Sequence, residues 1–130
     1  MLLTNGWLAS ASVSFYPDTA RLALDGQADT RWTTGASQTP DVWYEIDMLQ
    51  PQIFFALTLD TQSAPADSPA LLDVYLSMDG TFSTPTLKSI SGSGLTTISF
   101  PNAQVARYIK LALSTNKSEW WSVYELTVKD

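Results

Sequence analysis

Two carboxylates far apart in the sequence carry the clearest chemistry. Asp25-Gly26 opens a sharp turn in the segment Leu24-Asp25-Gly26-Gln27-Ala28-Asp29-Thr30-Arg31-Trp32. Asp25, Asp29 and Thr30 place three oxygen-bearing side chains in that short loop. A hard cation takes several oxygens at once, from carboxylates, hydroxyls and turn carbonyls, and this spacing can supply them. The same residues also suit a solvated turn closed by an Asx hydrogen bond. Glu125 bears on the choice, because it stands inside the apolar run Val123-Tyr124-Glu125-Leu126. A carboxylate is almost never fully buried unless it is paired or coordinating. A cation shared with Asp25 would satisfy Glu125 and staple an early loop to the last strand.

The second chemistry is aromatic. Trp7, Phe15, Tyr16, Phe82, Trp120 and Trp121 fall on or beside loops. In the pair Trp120-Trp121, strand alternation turns one ring inward and the other outward. Arg31 is one of two bases in the first 87 residues, the other being Arg21. Its planar fork of donors suits a surface pair with Asp29 or Glu119. Thr61 and Glu119 lie in two further loops.

Composition removes most other chemistries. The chain has 130 residues, no His and no Cys, and 13 acids against 7 bases give a net charge of −6. Zinc sites of the His/Cys kind are excluded, as are Ser-His-Asp and Cys-His nucleophiles. No disulfide can form. Scattered bases on an acidic chain argue against nucleic acid, whose phosphates require Lys/Arg clusters, and against anionic membrane surfaces. Ten Asp and three Glu make chance carboxylate pairs easy, but no motif marks the facing pair of a glycosidase. Leu2-Leu3 is stopped by Thr4-Asn5-Gly6, so no leader is visible, and Ile53 to Leu57 is far too short to span a bilayer.

The elements that would position these residues read as all-β. Val42 to Met48 alternates, with Val42, Tyr44, Ile46 and Met48 on one face. Ile53–Leu59, Leu71–Met78, Leu95–Phe100, Val105–Leu113 and Ser122–Val128 follow, with a weaker first strand at Leu8–Val13. Val105, Arg107, Ile109, Leu111 and Leu113 share a side in the fifth of these runs. Only Ala20 to Leu24 can make a helical turn. The loops Ser14–Thr19, Thr33–Asp41, Thr61–Pro69 and Asn116–Glu119 separate short strands, as in an antiparallel sandwich or barrel. Residues 1–130 form one domain.

Taken in order, Ala9-Ser10-Ala11-Ser12, "ALDGQADTRW", "QTPDVWYEIDM", "VYLSMDGTF", "ARYIKLAL" and "WWSVYELTV" resemble the discoidin, or coagulation factor V/VIII type C, domains. The chain is similar above all to their bacterial branch, the family 32 carbohydrate-binding modules. The resemblance covers roughly Gly6 to Val128. It implies a jelly-roll β-sandwich of eight antiparallel strands, five facing three. It implies a structural calcium, with side-chain oxygens from Asp25, Thr30 and Glu125 and carbonyls from Leu22, Gln27, Thr30 and Tyr124. It leaves Asp29 facing solvent. It also implies that Trp32, Trp43 and Trp121 pack while Trp120 faces the ligand loops, where Tyr16, Arg31, Thr61, Glu119 and Trp120 would contact sugar.

The function so implied is a non-catalytic module that anchors a secreted glycoside hydrolase to a polysaccharide, a β-1,3-glucan or chitosan. Such a module acts as a monomer within a larger extracellular enzyme. The His after "T-x-W" that galactose-binding members commonly carry is replaced here by Thr33, and their Arg before the "VYLS" strand is absent at Ala70-Leu71-Leu72. The alternative is a discoidin domain that binds phospholipid or a protein partner, with Phe15-Tyr16 as an apolar spike.

Overall fold

Alternating apolar residues define the strands, and turn residues bend two of them. A computed structural model describes residues 1–130. The eight strands are β1 Leu8–Ala11, β2 Trp32–Thr33, β3 Trp43–Asp60, β4 Leu71–Ser77, β5 Leu87–Ser91, β6 Leu95–Leu113, β7 Ser122–Val123 and β8 Glu125–Lys129. All their pairings are antiparallel. The helical turn expected at Ala20 to Leu24 is a 3-10 turn over Ala20–Ala23, and a second spans Pro65–Asp67. The Tyr44 hydroxyl donates to the Ala20 carbonyl at 2.8 Å and fixes the first of these against the core.

The predicted runs Val42–Met48 and Ile53–Leu59 are halves of one strand, β3, and the two runs between Leu95 and Leu113 are halves of β6. Both strands serve both layers. One layer has the order β1, β3, β6, β4, β5, using Trp43–Asp47 of β3 and Tyr108–Ala112 of β6. The other pairs Ala56–Asp60 of β3 with Leu95–Ser99 of β6 on one side and with β8 on the other. Five strands therefore face three, with β2 and β7 forming a separate two-stranded pair. The bend falls where the register slips, between Asp47 and Gln52 and again between Phe54 and Ala56. Leu49 adopts a positive φ of 72° there, and Asp47 Oδ1 accepts its N–H at 2.8 Å. Pro51, which has no N–H to give a ladder, sits in the same bulge.

One core of 22 buried residues fills the space between the layers. Tyr44, Ile46 and Met48 from the first half of β3 meet Leu57 and Leu59 from its second half, with Leu126 and Val128 of β8 beside them. Ile109, Leu111 and Leu113 point inward as expected, but Val105 does not. It is 57% exposed, while Ala106 is buried, because the alternation slips opposite the β3 bulge. Arg107 lies at that slip and forms a bidentate pair with Asp47, at 2.8 and 3.0 Å. Trp32 is fully buried, packed on Tyr44 and Trp121 at ring distances of 4.9 and 4.7 Å. Trp43 departs from the core placement implied by resemblance. It lies half-exposed, with its ring 5.6 Å from the Lys110 ammonium, which Tyr75 and Phe82 also flank at 5.6 Å.

The strand connections Thr33–Asp41, Thr61–Pro69 and Ser114–Trp121 emerge together at one end of the sandwich. The β3 bulge and both termini lie at the other, where the Met1 ammonium meets Asp130 at 2.8 Å.

Candidate functional site

The turn that the sequence places at Asp25-Gly26 is made by Gly26 at φ +73°, a conformation that costs glycine little. Asp25 uses both carboxylate oxygens inside the loop. Oδ1 accepts the Gln27 N–H at 2.9 Å, and Oδ2 accepts the Thr30 hydroxyl at 2.5 Å. The Thr30 hydroxyl also lies 3.3 Å from the Gln27 carbonyl oxygen. From the other end of the chain, Glu125 Oε1 accepts the Gly26 N–H at 3.3 Å. The loop is thus closed by an Asx turn and also brought against the last strand.

Glu125 is half-buried, and its carboxyl is pushed up to about 7, first by burial and then by the negative charge of Asp25. The Gly26 N–H offsets this only in part. Two carboxylates with hydroxyl and carbonyl oxygens around one turn make an all-oxygen donor set, and one of the acids is desolvated beside the other. That chemistry fits a hard divalent cation. Leu22 and Tyr124 flank the same turn. Asp29 is exposed, as the sequence implied.

The aromatic platform lies on the neighbouring loops. Trp120 is 36% exposed and meets Phe15 edge-on, with ring centroids 5.8 Å apart. Tyr16, beyond Phe15, is 85% exposed. Gly35 passes directly beneath Phe15; a Cβ there would stand 2.5 Å from the Phe15 Cβ. Trp121 is fully buried, so the alternation of the tryptophan pair is as the sequence required. Phe82 packs on Tyr75 over the outer sheet face, and Trp7 packs against the core, so neither joins the platform.

Arg31 sits between the platform and the Asp25–Thr30 turn. Its Cζ is 6.0 Å from the ring centroids of both Trp120 and Tyr124. Nε donates to Asp18 Oδ2 at 3.2 Å and Nη1 to Asp67 Oδ2 at 3.5 Å. These partners replace the expected Asp29 or Glu119. Glu119 is exposed and accepts the Ser118 hydroxyl at 2.7 Å.

Thr61 requires a correction. It is fully buried and its hydroxyl donates to the Ser122 carbonyl at 2.8 Å, so it holds a loop and presents nothing to a ligand. Its place is the inward phase of β3, two residues beyond buried Leu59.

Three residues outside the expected set hold the loops in place. Buried Gln38 donates to the Ser68 and Trp120 carbonyls at 2.8 and 3.1 Å and accepts the Ala70 N–H at 2.9 Å. Lys117 donates to the Ser68 carbonyl at 2.8 Å. The Ser122 hydroxyl lies 2.7 Å from the Thr33 hydroxyl and 2.8 Å from Asp67 Oδ2. A lone Gln between Ser37 and Thr39 gives no local sign of such a clamp. A cavity of roughly 470 Å³ exists at the opposite end, lined by Leu2, Pro51, Ile53, Phe55, Ala103 and Asp130. No cavity is lined by Phe15, Tyr16 or Trp120, so the platform is a shallow face.

Residues 8–126 match the family described as the F5/8 type C domain. The chain belongs to that family. Among curated proteins none matches its sequence significantly. Solved structures share the fold of this F5/8 type C domain. The family 32 module of Clostridium perfringens NanJ, solved with galactose, is 18% identical, with 97% of this chain and 95% of that one covered and a TM-score of 0.79. Chitosan-binding module 1 of the chitosanase/glucanase of Paenibacillus sp. IK-5 is 23% identical over 100% and 99% of the two chains, with a TM-score of 0.82. The Clostridium perfringens module CpGH89CBM32-5, in complex with GalNAc-β-1,3-galactose, is 21% identical over 99% of both chains, with a TM-score of 0.82. The all-β sandwich expected of the F5/8 type C domain is thereby established in these three comparisons and in the strand pairing alike.

Proposed function

We propose that this domain is a non-catalytic carbohydrate-binding module that anchors a secreted glycoside hydrolase to a polysaccharide, a β-1,3-glucan or chitosan. The observation that carries this reading is the exposed aromatic edge of Trp120, Phe15 and Tyr16, with Arg31 beside it. An aromatic plane with few polar groups suits a sugar's C–H face, and a shallow face suits a polymer that must be bound without being enclosed. The solved relatives named for galactose, GalNAc-galactose and chitosan support the ligand class. Affinity at one such site is modest, with Kd on the order of 10⁻³ to 10⁻⁵ M, because few atoms are desolvated. Attachment to a catalytic domain raises the effective concentration on the polymer, so the domain works as a monomer within a larger extracellular enzyme.

A structural Ca²⁺ belongs to this reading. Asp25, Thr30 and Glu125 would hold it through side-chain oxygens, and Leu22, Gln27, Thr30 and Tyr124 through carbonyls. When bound it supplies positive charge between the two acids. The phospholipid alternative is weaker. Phe15 and Tyr16 form an apolar spike, but Arg31 and Lys117 beside it are already engaged within the chain, and a net charge of −6 opposes anionic lipid. Affinity electrophoresis on laminarin, chitosan and a galactoside polymer tests the proposal. Retardation by laminarin or chitosan is the expected result. Retardation by none, with binding to anionic liposomes instead, would replace it with the phospholipid reading.

A further inference from the structure

We infer that Arg31 sets the charge class of the glycan: it is a built-in cation that occupies Asp18 and Asp67, so the platform takes uncharged sugars in preference to amine-bearing ones. This deepens the carbohydrate reading and rests on it. Asp18 comes from the Ser14–Thr19 loop and Asp67 from the end of the Pro65–Asp67 turn. Arg31 enters between them and bridges the two at 3.2 and 3.5 Å. The side chains of Arg31, Asp18 and Asp67 keep 25%, 30% and 18% of their exposure, so the trio lies at the surface beside Trp120. A protonated sugar amine would be drawn to that place by the two carboxylates, and it brings the same charge and the same kind of donor. Arg31 is already there.

One neighbouring charge opposes this. Lys117 is tied to Ser68, which leaves Glu119 as the exposed acid of the Asn116–Glu119 loop. Within the trio two negative charges meet one positive; without Arg31 both acids would stand uncompensated. Nη2 of Arg31 makes no hydrogen bond within the chain and can donate to a hydroxyl of a neutral sugar. An amine arriving at the edge finds both acids already engaged by the guanidinium, whose like charge opposes it at close range. A neutral glucan meets an aromatic plane bordered by the free Nη2 amino group.

The test compares wild type with R31Q and R31K by affinity electrophoresis on laminarin and on partly deacetylated chitosan in mildly acidic buffer, where the amines carry protons. Thermal melting is followed in parallel. Wild type should be retarded more by laminarin. In R31Q the chitosan-to-laminarin affinity ratio should rise by about tenfold or more, and added salt should erase the gain. R31K keeps a cation in place and should keep the wild-type order, which a purely loop-holding role of the planar fork does not require. Should R31Q fail to fold, D18N/D67N with Arg31 intact serves instead. It leaves the cation unbalanced and should lower the chitosan ratio further. A wild type that prefers chitosan at low salt overturns the inference. So does a ratio unmoved in folded R31Q, while laminarin binding then leaves the carbohydrate reading intact. A wild type retarded by neither polymer overturns both.

Discussion

Trp120 is the residue on which sugar binding turns most directly. Its ring is 36% exposed, meets Phe15 edge-on and has Arg31 6.0 Å from its centroid, so part of its surface packs in the fold and part is open to a ligand. Trp120→Ala should reduce binding to the retaining polysaccharide by at least about tenfold in a protein that still melts cooperatively; intact binding would show that the site lies elsewhere. Gly35→Ala acts on the same platform from below. Its Cβ would clash with Phe15 at 2.5 Å, in a backbone with φ +65°, and the strain is of order 1–3 kcal/mol. Lower stability in a denaturant melt together with weaker sugar binding is the expected pair of effects. How legible these residues were depended on distance along the chain. That one ring of Trp120 and Trp121 turns inward and the other outward follows from alternation between neighbours; which is which follows from the resemblance. The partners of Arg31 do not, because Asp18 and Asp67 are 13 and 36 residues away and only the folded loops bring them together. Thr61 looks like a loop residue in the sequence because the apolar run ends at Leu59, yet its buried side chain keeps the inward phase of β3.

At the scale of elements, the strands were legible and their continuity was not. Pro51 and the polar stretch around it look like a break in the sequence, yet the backbone passes through as a bulge that carries β3 from one layer to the other. β5 lacked a signal because Ser89, at φ 54°, interrupts its alternation. The bulge has its own electrostatic brace. Hydrogen bonds from Arg107 hold the Asp47 carboxyl below its usual range. Because the folded value lies below the unfolded one, this contribution is present above the ordinary Asp pKa of about 4 and fades as pH falls through the folded value. Asp47→Asn should therefore melt below wild type at neutral pH, and the gap should close as the pH drops below about 4. Melting curves across that range decide the matter. A gap independent of pH would assign the loss to packing in the bulge instead.

The molecule as a whole is fastened at two places. The termini meet at the bulge end through Met1 and Asp130, both widely exposed, and exposed ion pairs contribute little. At the loop end the Asp25–Thr30 turn reaches β8 through Glu125, and there the chain alone leaves two acids opposed. A bound cation would turn that repulsion into a tie between residues a hundred positions apart, in a chain that has no cysteine to do so. Binding to the folded state alone stabilises by RT ln(1 + [L]/Kd), about 4 kcal/mol at a thousandfold excess over Kd. For a domain of this size that corresponds to roughly 10 °C or more in Tm. Chelation should lower the melting temperature by about that much, and added calcium should restore it. Glu125→Gln sharpens the test because its effect should change sign. In chelator the variant has lost the repulsion from Asp25 and should melt above wild type; in calcium it has lost a ligand and should melt below. Curves that cross in this way require a cation between Asp25 and Glu125. A wild-type melting temperature indifferent to chelator would mean that the turn is held by its Asx hydrogen bonds alone.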